Sequence, residues 1–120
     1  MLIAVTARGD GLEAPIDERF GRATRFVLYD TESREVRNVD NDMNLNAAQG
    51  AGIQAAQNLA GLGAECLLTG HCGPKAFRTL AAAGVRVFTG AAGTVRQTID
   101  AYVSGSLRQA TGADVDSHWA

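Results

Sequence analysis

The chain has 120 residues, of which 46% are hydrophobic and 20% charged, with a formal net charge of −2. This length predicts a single domain, since separate cores appear only at roughly 250 residues, and the composition excludes a disordered or low-complexity chain. Apolar runs such as Leu2 to Val5 are far shorter than the roughly 20 residues of a membrane helix. The slightly acidic balance excludes a general nucleic-acid binder. Two cysteines and the absence of a basic leader predict a cytoplasmic protein.

The first third of the chain predicts three strands. Leu2 to Ala7 is a continuous apolar run of β-forming residues, and it ends in the turn cluster Arg8 to Gly11. The runs Arg25 to Asp30 and Glu35 to Val39 predict a hairpin, and the more polar second run is expected at a sheet edge. The Asn- and Asp-rich segment Asn38 to Asn46 is then typical of a connecting loop.

The hydrophobic period changes from 2 to 3.6 in the second half of the chain, which predicts three helices separated by strands at Glu65 to Thr69 and Val85 to Thr89. Gly73-Pro74 suits the start of the second helix, and Thr94 with Gln97 predicts a capping box for the third. The expected inward faces comprise Ile53, Ala56, Leu59 and Ala60, then Phe77, Leu80 and Ala81, then Val95, Ile99 and Tyr102.

The order of elements indicates an α/β fold. We expect a ribonuclease-H-like domain over residues 1–108, with a five-stranded mixed sheet in the order 3-2-1-4-5 and strand 2 antiparallel, flanked by three helices. A flavodoxin-like sheet is the alternative, and residues 109–120 are expected to form a flexible tail. Ligands of such sheets bind at the carboxyl ends of the strands where the chain reverses direction. The loops Arg8 to Gly11 and Gly70 to Pro74 are predicted to meet there.

The segment Gly70 to Lys75 (GHCGPK) is the strongest candidate site in the sequence. It places an imidazole, a thiol and an ammonium group at a predicted helix N-terminus, where the helix dipole favours anions and lowers the pKa of a thiol. We therefore predict His71 and Cys72 as metal ligands, with Gly70, Gly73 and Lys75 as further binding residues. The alternative interpretation makes His71 and Cys72 ordinary loop residues.

Arginine outnumbers lysine by ten to one, and Arg8 and Arg22 lie near the predicted site. Guanidinium groups suit a delocalised anion, although compositional bias is the simpler explanation for most of them. Cys66 falls inside a predicted strand and is interpreted as a buried small hydrophobe. His118 and Trp119 are expected to be exposed to solvent.

Several classes of enzyme are disfavoured by the sequence. The first strand lacks the carboxylate that a ribonuclease-H-type nuclease needs, and the cysteines and histidines lack the spacing of a zinc finger. No nucleophile elbow is present. Two alternatives to a simple binding protein stay open: a small redox or transferase enzyme with Cys72 as nucleophile and His71 as base, and an interaction module without a cofactor.

The chain resembles the dinitrogenase iron–molybdenum cofactor biosynthesis family, the NifX-like proteins. The resemblance spans about Met1 to Leu107. It rests on Asp17 to Ala23 (DERFGRA), Phe26, Asp30, Gly50-Ala51-Gly52, Gly70-x-x-Gly73-Pro74-x-Ala76 and Gly84-Val85. It implies a ribonuclease-H-like fold and non-catalytic binding or carriage of metal–sulfur clusters, and the family includes small stand-alone proteins of anaerobes that hold a molybdenum–copper sulfide cluster. The radical-SAM cysteine motif of the cofactor synthase is absent, so cluster synthesis is not implied.

Together, the residues and the resemblance lead to one hypothesis. An anionic metal–sulfide cluster, containing molybdenum with copper or iron, would bind at the switch point. Arg8, Arg22 and Lys75 would neutralise its charge, and His71 and Cys72 would supply soft ligands. The expected partners are the cluster and the protein that donates or accepts it, with no nucleic acid and no membrane. The expected oligomeric state is a monomer or weak homodimer.

Overall fold

Strand β1 (Leu2–Ala7) lies at the centre of the sheet in the computed structural model, which describes residues 1–41 and 51–111. Its residues from Ile3 to Ala7 are buried, as expected for a continuous apolar run covered on both faces. Strand β2 (Arg25–Asp30) pairs antiparallel with β1, and β3 (Val36–Asp40) pairs antiparallel with β2. The predicted hairpin is therefore confirmed, with the largely exposed β3 at the sheet edge.

The other half of the sheet is built from β4 (Cys66–Leu68) and β5 (Arg86–Thr89), which continue it in parallel from β1. A sixth strand, β6 (Arg108–Gln109), pairs antiparallel with β5, so the sheet order is β3-β2-β1-β4-β5-β6. The predicted order of the first five strands is correct, but the predicted number of strands is wrong. A two-residue strand carries no readable hydrophobic period. Residues 112–120 of the predicted tail, with His118 and Trp119, lie outside the described residues.

Three helices cover the sheet: α1 (Ala51–Gly61), α2 (Pro74–Ala82) and α3 (Val95–Val103). The capping box of Thr94 and Gln97 is present, and Pro74 occupies the start of α2. Ala81 was expected in the apolar face of α2 but is exposed, because Ala76 and Leu80 form the buried side of this short helix. None of the helices in residues 1–41 and 51–111 is long and apolar enough to cross a membrane.

The helices divide between the two faces of the sheet. Alternate residues of β1 belong to different core clusters: Ala4 packs with residues of α1 and α2, while Ile3 and Val5 pack with residues of α3. The sheet is thus buried on both faces. At the carboxyl end of the hairpin, the buried Asn41 donates from its backbone and side-chain nitrogens to the carbonyls of Thr24 and Ala23. Positions 42–46 of the predicted loop lie outside the described residues.

Candidate functional site

The candidate site begins where β1 and β4 end side by side. The hydroxyls of Thr6 and Thr69 are 2.9 Å apart and fully buried, and the Thr6 hydroxyl also donates to the carbonyl of Asp17 at 2.6 Å. The backbone N–H of Asp17 donates back to the carbonyl of Thr6. These bonds hold the segment around Asp17 against the carboxyl ends of both parallel strands.

Two further backbone hydrogen bonds join that segment to the loop that follows β4. The N–H of His71 donates to the carbonyl of Glu18 at 2.6 Å, and the N–H of Phe20 donates to the carbonyl of His71 at 3.1 Å. Gly70 is buried there, and a Cβ atom at this position would lie 2.7 Å from the carbonyl oxygen of Glu18. Only glycine allows this approach. We call this junction of Glu18–Phe20 with Gly70–His71 the loop clamp.

The turn Arg8 to Gly11 was expected to meet the Gly70 loop, but its polar contacts point elsewhere. The N–H of Arg8 donates to the carbonyl of Pro15, the carboxylate of Asp10 lies 3.3 Å from the guanidinium of Arg25, and the N–H of Gly11 donates to the side chain of Asn38. The turn therefore contacts residues of β2 and β3. The sequence predicted that it would lie beside the Gly70 loop, but residues 17–20 lie there instead.

Two helix N-termini approach the loop clamp. Residues Phe20–Arg22 form a 3₁₀ turn, and a Cβ atom on Gly21 would lie 3.4 Å from the Cα of Gly52 in the first turn of α1. A Cβ atom on Gly52 would lie 3.4 Å from the Cβ of Ala76 in the first turn of α2. The first turns of both helices therefore meet the 3₁₀ turn, where helix dipoles favour negative charge.

Four exposed cations lie on the segments near this point. Arg22 ends the 3₁₀ turn and Lys75 is the second residue of α2, while Arg8 and Arg19 are exposed on the preceding loop. None of these four forms a salt bridge within 4 Å in the described part of the chain, whereas Arg25 binds Asp10 and Asp40. Glu18 and Arg19 were not assigned a role from the sequence, although they lie inside the DERFGRA motif that carries the family resemblance.

Cys72 lies next to the start of α2 as predicted, but its thiol is buried. Its side chain is 3% exposed and packs in the same core cluster as Phe20 and Ala76, with its sulfur 3.7 Å from the carbonyl oxygen of Gly73. Burial raises the pKa of the Cys72 thiol to about 12, so the expected lowering by the helix dipole is wrong. Desolvation of the charged form outweighs the dipole at this depth. The thiol is therefore neutral at physiological pH.

The raised pKa of Cys72 predicts a loss of stability in alkali. In the unfolded chain this thiol ionises near its ordinary value of 9.0, while in the folded chain it stays protonated up to about 12. Its contribution to stability is therefore complete below about pH 9 and falls as the pH rises, by at most about 1.4 kcal/mol per pH unit. Urea unfolding from about pH 8 to about pH 10.5 should show this slope in the wild type and a shallower one in Cys72→Ala. Identical slopes would contradict the burial of the thiol.

His71 is partly exposed and lies one residue before Cys72. Within residues 1–41 and 51–111, no group of three or more histidine, cysteine, aspartate or glutamate side chains is arranged to hold a metal ion. Cations and helix N–H groups lie near the carboxyl ends of β1 and β4. These hydrogen-bond donors suit a large anion. The structure thus groups Gly70, His71, Cys72, Gly73 and Lys75 on one continuous segment, with Arg22 on the adjoining 3₁₀ turn.

Solved structures of related proteins share this fold. The apo form of the orange protein from Desulfovibrio gigas is 47% identical, covers 92% of this chain and 93% of its own, and superposes with a TM-score of 0.89. The NMR structure of a proposed NifB protein from Thermotoga, of the DUF35 family, is 39% identical with a TM-score of 0.79 and covers 90% and 91% of the two chains.

Sequence comparisons agree with the structural ones. An uncharacterised protein of Methanocaldococcus jannaschii is 26% identical over 102 residues, covering 79% of this chain and 86% of its own. The family model described as dinitrogenase iron-molybdenum cofactor matches residues 1–105, close to the span Met1 to Leu107 over which the sequence resembles this family. The chain therefore belongs to the dinitrogenase iron–molybdenum cofactor family.

Proposed function

We propose that this protein binds and carries an anionic metal–sulfide cluster, containing molybdenum with copper or iron, as cargo and without catalysis. The observation that carries the proposal is the meeting of the first turns of α1 and α2 with the 3₁₀ turn, beside the exposed Arg22 and Lys75. Two helix N-termini and several cations without salt bridges form a positive surface that fits a sulfide-rich anion. Membership of the family and 47% identity to the orange protein support the same cargo.

The proposed contacts follow from the chemistry of each residue. Arg8, Arg22 and Lys75 donate charge-assisted hydrogen bonds to terminal sulfides, while Gly70 allows the close approach in the loop clamp and Gly73 is the N-cap of α2. His71 is the more accessible of the two proposed metal ligands, because it is partly exposed in the folded chain. Cys72 would have to reach the surface and lose a proton before it could bind a metal.

The proposal also covers the fold class, the cellular location, the partners and the oligomeric state. We assign the domain, residues 1–108, to the ribonuclease-H-like folds and the protein to the cytoplasm of an anaerobe. Its partners would be the proteins that donate or accept the cluster, with no nucleic acid and no membrane, and the chain would act as a monomer or weak homodimer. A Cys72-dependent enzyme is less well supported, because a nucleophilic thiol must ionise and the pKa of Cys72 is raised to about 12.

Charge removal at the site should weaken cluster binding. Apoprotein supplied with tetrathiomolybdate and Cu(I) under anaerobic conditions is expected to develop a visible charge-transfer absorption that saturates with the protein. The substitutions Arg22→Ala and Lys75→Ala should each weaken this binding by about 1.5–3 kcal/mol, the range for hydrogen bonds to charged groups, and Arg8→Ala tests the third proposed cation. Titration followed by the visible spectrum gives the affinities.

Arg34→Ala is the matched control for bulk charge. Arg34 is an exposed arginine in the turn between β2 and β3, which lies at the amino-terminal end of β1, away from the site. Its loss should therefore change the affinity for the cluster by only a few tenths of a kcal/mol at physiological salt. Equal weakening by Arg34→Ala and Arg22→Ala would show that affinity follows net charge and would overturn the proposed site. If the wild type binds neither tetrathiomolybdate with copper nor an iron–molybdenum cluster, the proposal that it carries a metal–sulfide cluster is wrong.

A further inference from the structure

A second group of potential ligands lies at the amino-terminal ends of the parallel strands, at the other end of the sheet from the proposed cargo site. Cys66 begins β4, where it pairs with Ile3 of β1 and Arg86 of β5. Met1 precedes β1, and Tyr102 lies in α3. The parallel strands therefore bring the amino-terminal ends of β1, β4 and β5 together and place a thiol, a thioether and a phenol at one point.

The contacts within this group are close. The Sγ of Cys66 lies 3.7 Å from the Sδ of Met1 and 3.4 Å from the Oη of Tyr102, and the Tyr102 hydroxyl is also 3.4 Å from the Sδ of Met1. The three atoms form a nearly equilateral triangle. The same guanidinium nitrogen of Arg86 lies 3.3 Å from the Sγ of Cys66 and 4.0 Å from the Sδ of Met1. Cys66 itself is fully buried, while the Met1 side chain is 34% exposed.

We propose that Cys66, Met1 and Tyr102 form a binding site for a single soft monovalent metal ion, Cu(I) or its analogue Ag(I). Thiolate and thioether sulfur are the protein ligands that such ions prefer, and two sulfurs 3.7 Å apart can both reach one ion at a metal–sulfur length of roughly 2.3 Å. The Tyr102 oxygen faces the same point as a third, weaker contact. This site is independent of the proposed cluster cargo.

The chemistry of binding is a metal-for-proton exchange. As the metal–sulfur bond to Cys66 forms, the thiol proton passes to solvent, and the thioether of Met1 donates a lone pair without losing any proton. No electron is transferred, since the ion enters and stays in its monovalent state. The resulting thiolate–metal unit is neutral overall, and the exposed Arg86 side chain, whose guanidinium contacts both sulfurs, must move aside as the ion enters. The partly exposed Met1 side chain gives the route of entry.

Silver binding to the reduced full-length apoprotein tests the site without redox chemistry. One equivalent of Ag(I) is expected to bind and to shift the methyl NMR signal of Met1, while the only other methionine, Met43, supplies an internal reference. Cys66→Ala should weaken binding by roughly 100-fold or more, because it removes the strongest soft ligand. Tyr102→Phe should weaken it by roughly 10-fold. Competition with a Cu(I)-specific colorimetric chelator then repeats the comparison for copper.

Tyr29→Phe is the matched control for Tyr102→Phe, because Tyr29 is the other tyrosine of the chain and no hydrogen bond joins it to either sulfur in the described residues. It should leave the Ag(I) affinity and the Met1 shift unchanged. Equal affinity in Cys66→Ala and wild type, or loss of binding in Tyr29→Phe, would overturn the proposal. If Cys66→Ala fails to fold, the wild-type spectrum still decides, since a Met1 signal that does not move with one equivalent of Ag(I) would also overturn it.

Discussion

Phe20→Ala is expected to lower the free energy of unfolding by about 3–5 kcal/mol, the range for removing a buried aromatic ring. Phe20 is 1% exposed, and its ring stacks on that of Phe26 with 5.7 Å between the centroids. Its N–H also belongs to the loop clamp, so the loss of the ring should loosen the 3₁₀ turn that carries Arg22. Denaturant unfolding measures the stability, and the cluster titration measures the effect on the site.

The control for Phe20 is Val103→Ala, because Val103 is a large apolar residue that is 72% exposed. Its removal should change the free energy of unfolding by no more than about 0.5 kcal/mol. The loss of unfolding free energy in Phe20→Leu should lie between the losses in Phe20→Ala and Val103→Ala, since leucine keeps apolar volume but loses the ring stacking. A loss below about 1 kcal/mol in Phe20→Ala would contradict the role of this ring as the anchor of the 3₁₀ turn.

Gly70→Ala is expected to destabilise the protein by about 2–3 kcal/mol, near the upper end of the usual cost of overpacking. The new Cβ would meet two backbone atoms of Glu18, its carbonyl oxygen at 2.7 Å and its Cα at 2.8 Å, and backbone cannot turn aside as a side chain can. The loop clamp must therefore open. Amide hydrogen exchange should show faster exchange at the His71 N–H, which bonds to the same carbonyl of Glu18.

Gly61→Ala separates this steric effect from the general effect of replacing glycine. Gly61 is the last residue of α1, and a Cβ atom there would have no neighbour within 4 Å. This substitution should be neutral or should stabilise the protein by up to about 1 kcal/mol, because alanine restricts the unfolded chain. A Gly70→Ala protein as stable as Gly61→Ala would show that the close approach to Glu18 is not a constraint.

The parts of the fold that the sequence predicts well are those in which local pattern and tertiary structure agree. β1 matches the expected run Leu2 to Ala7 to the residue, because a central strand buried on both faces is apolar throughout. The capping box of Thr94 and Gln97 is equally local, since both partners lie within one helical turn. β6 has no such signature, because two residues at a sheet edge are too short to show a period.

The sequence predicted the place of the Gly70 to Pro74 loop in the fold more accurately than it predicted the ionisation of Cys72. Gly70 to Pro74 does lie at the carboxyl end of β4, where strand order and direction place it. The loop clamp was missed because backbone carbonyls make its bonds, and any residue at position 18 carries the same carbonyl. The burial of Cys72 was missed for a different reason: the core cluster that contains it also includes residues distant in sequence, such as Phe20, so no local pattern reports it.

The pairing of β1 with β4 also links folding to the proposed cargo. The β1–β2 contacts are local, whereas aligning Ile3 with Cys66 requires closing a much longer loop, and such long-range pairings form slowly. The loop clamp likewise joins distant parts of the chain, Glu18–Phe20 and Gly70–His71, so the proposed cargo surface belongs to the folded state. A ligand that binds the folded state alone stabilises it in proportion to the logarithm of its free concentration. A loaded protein should therefore resist unfolding and proteolysis better than an empty one, and its lifetime in the cell would report the supply of cargo.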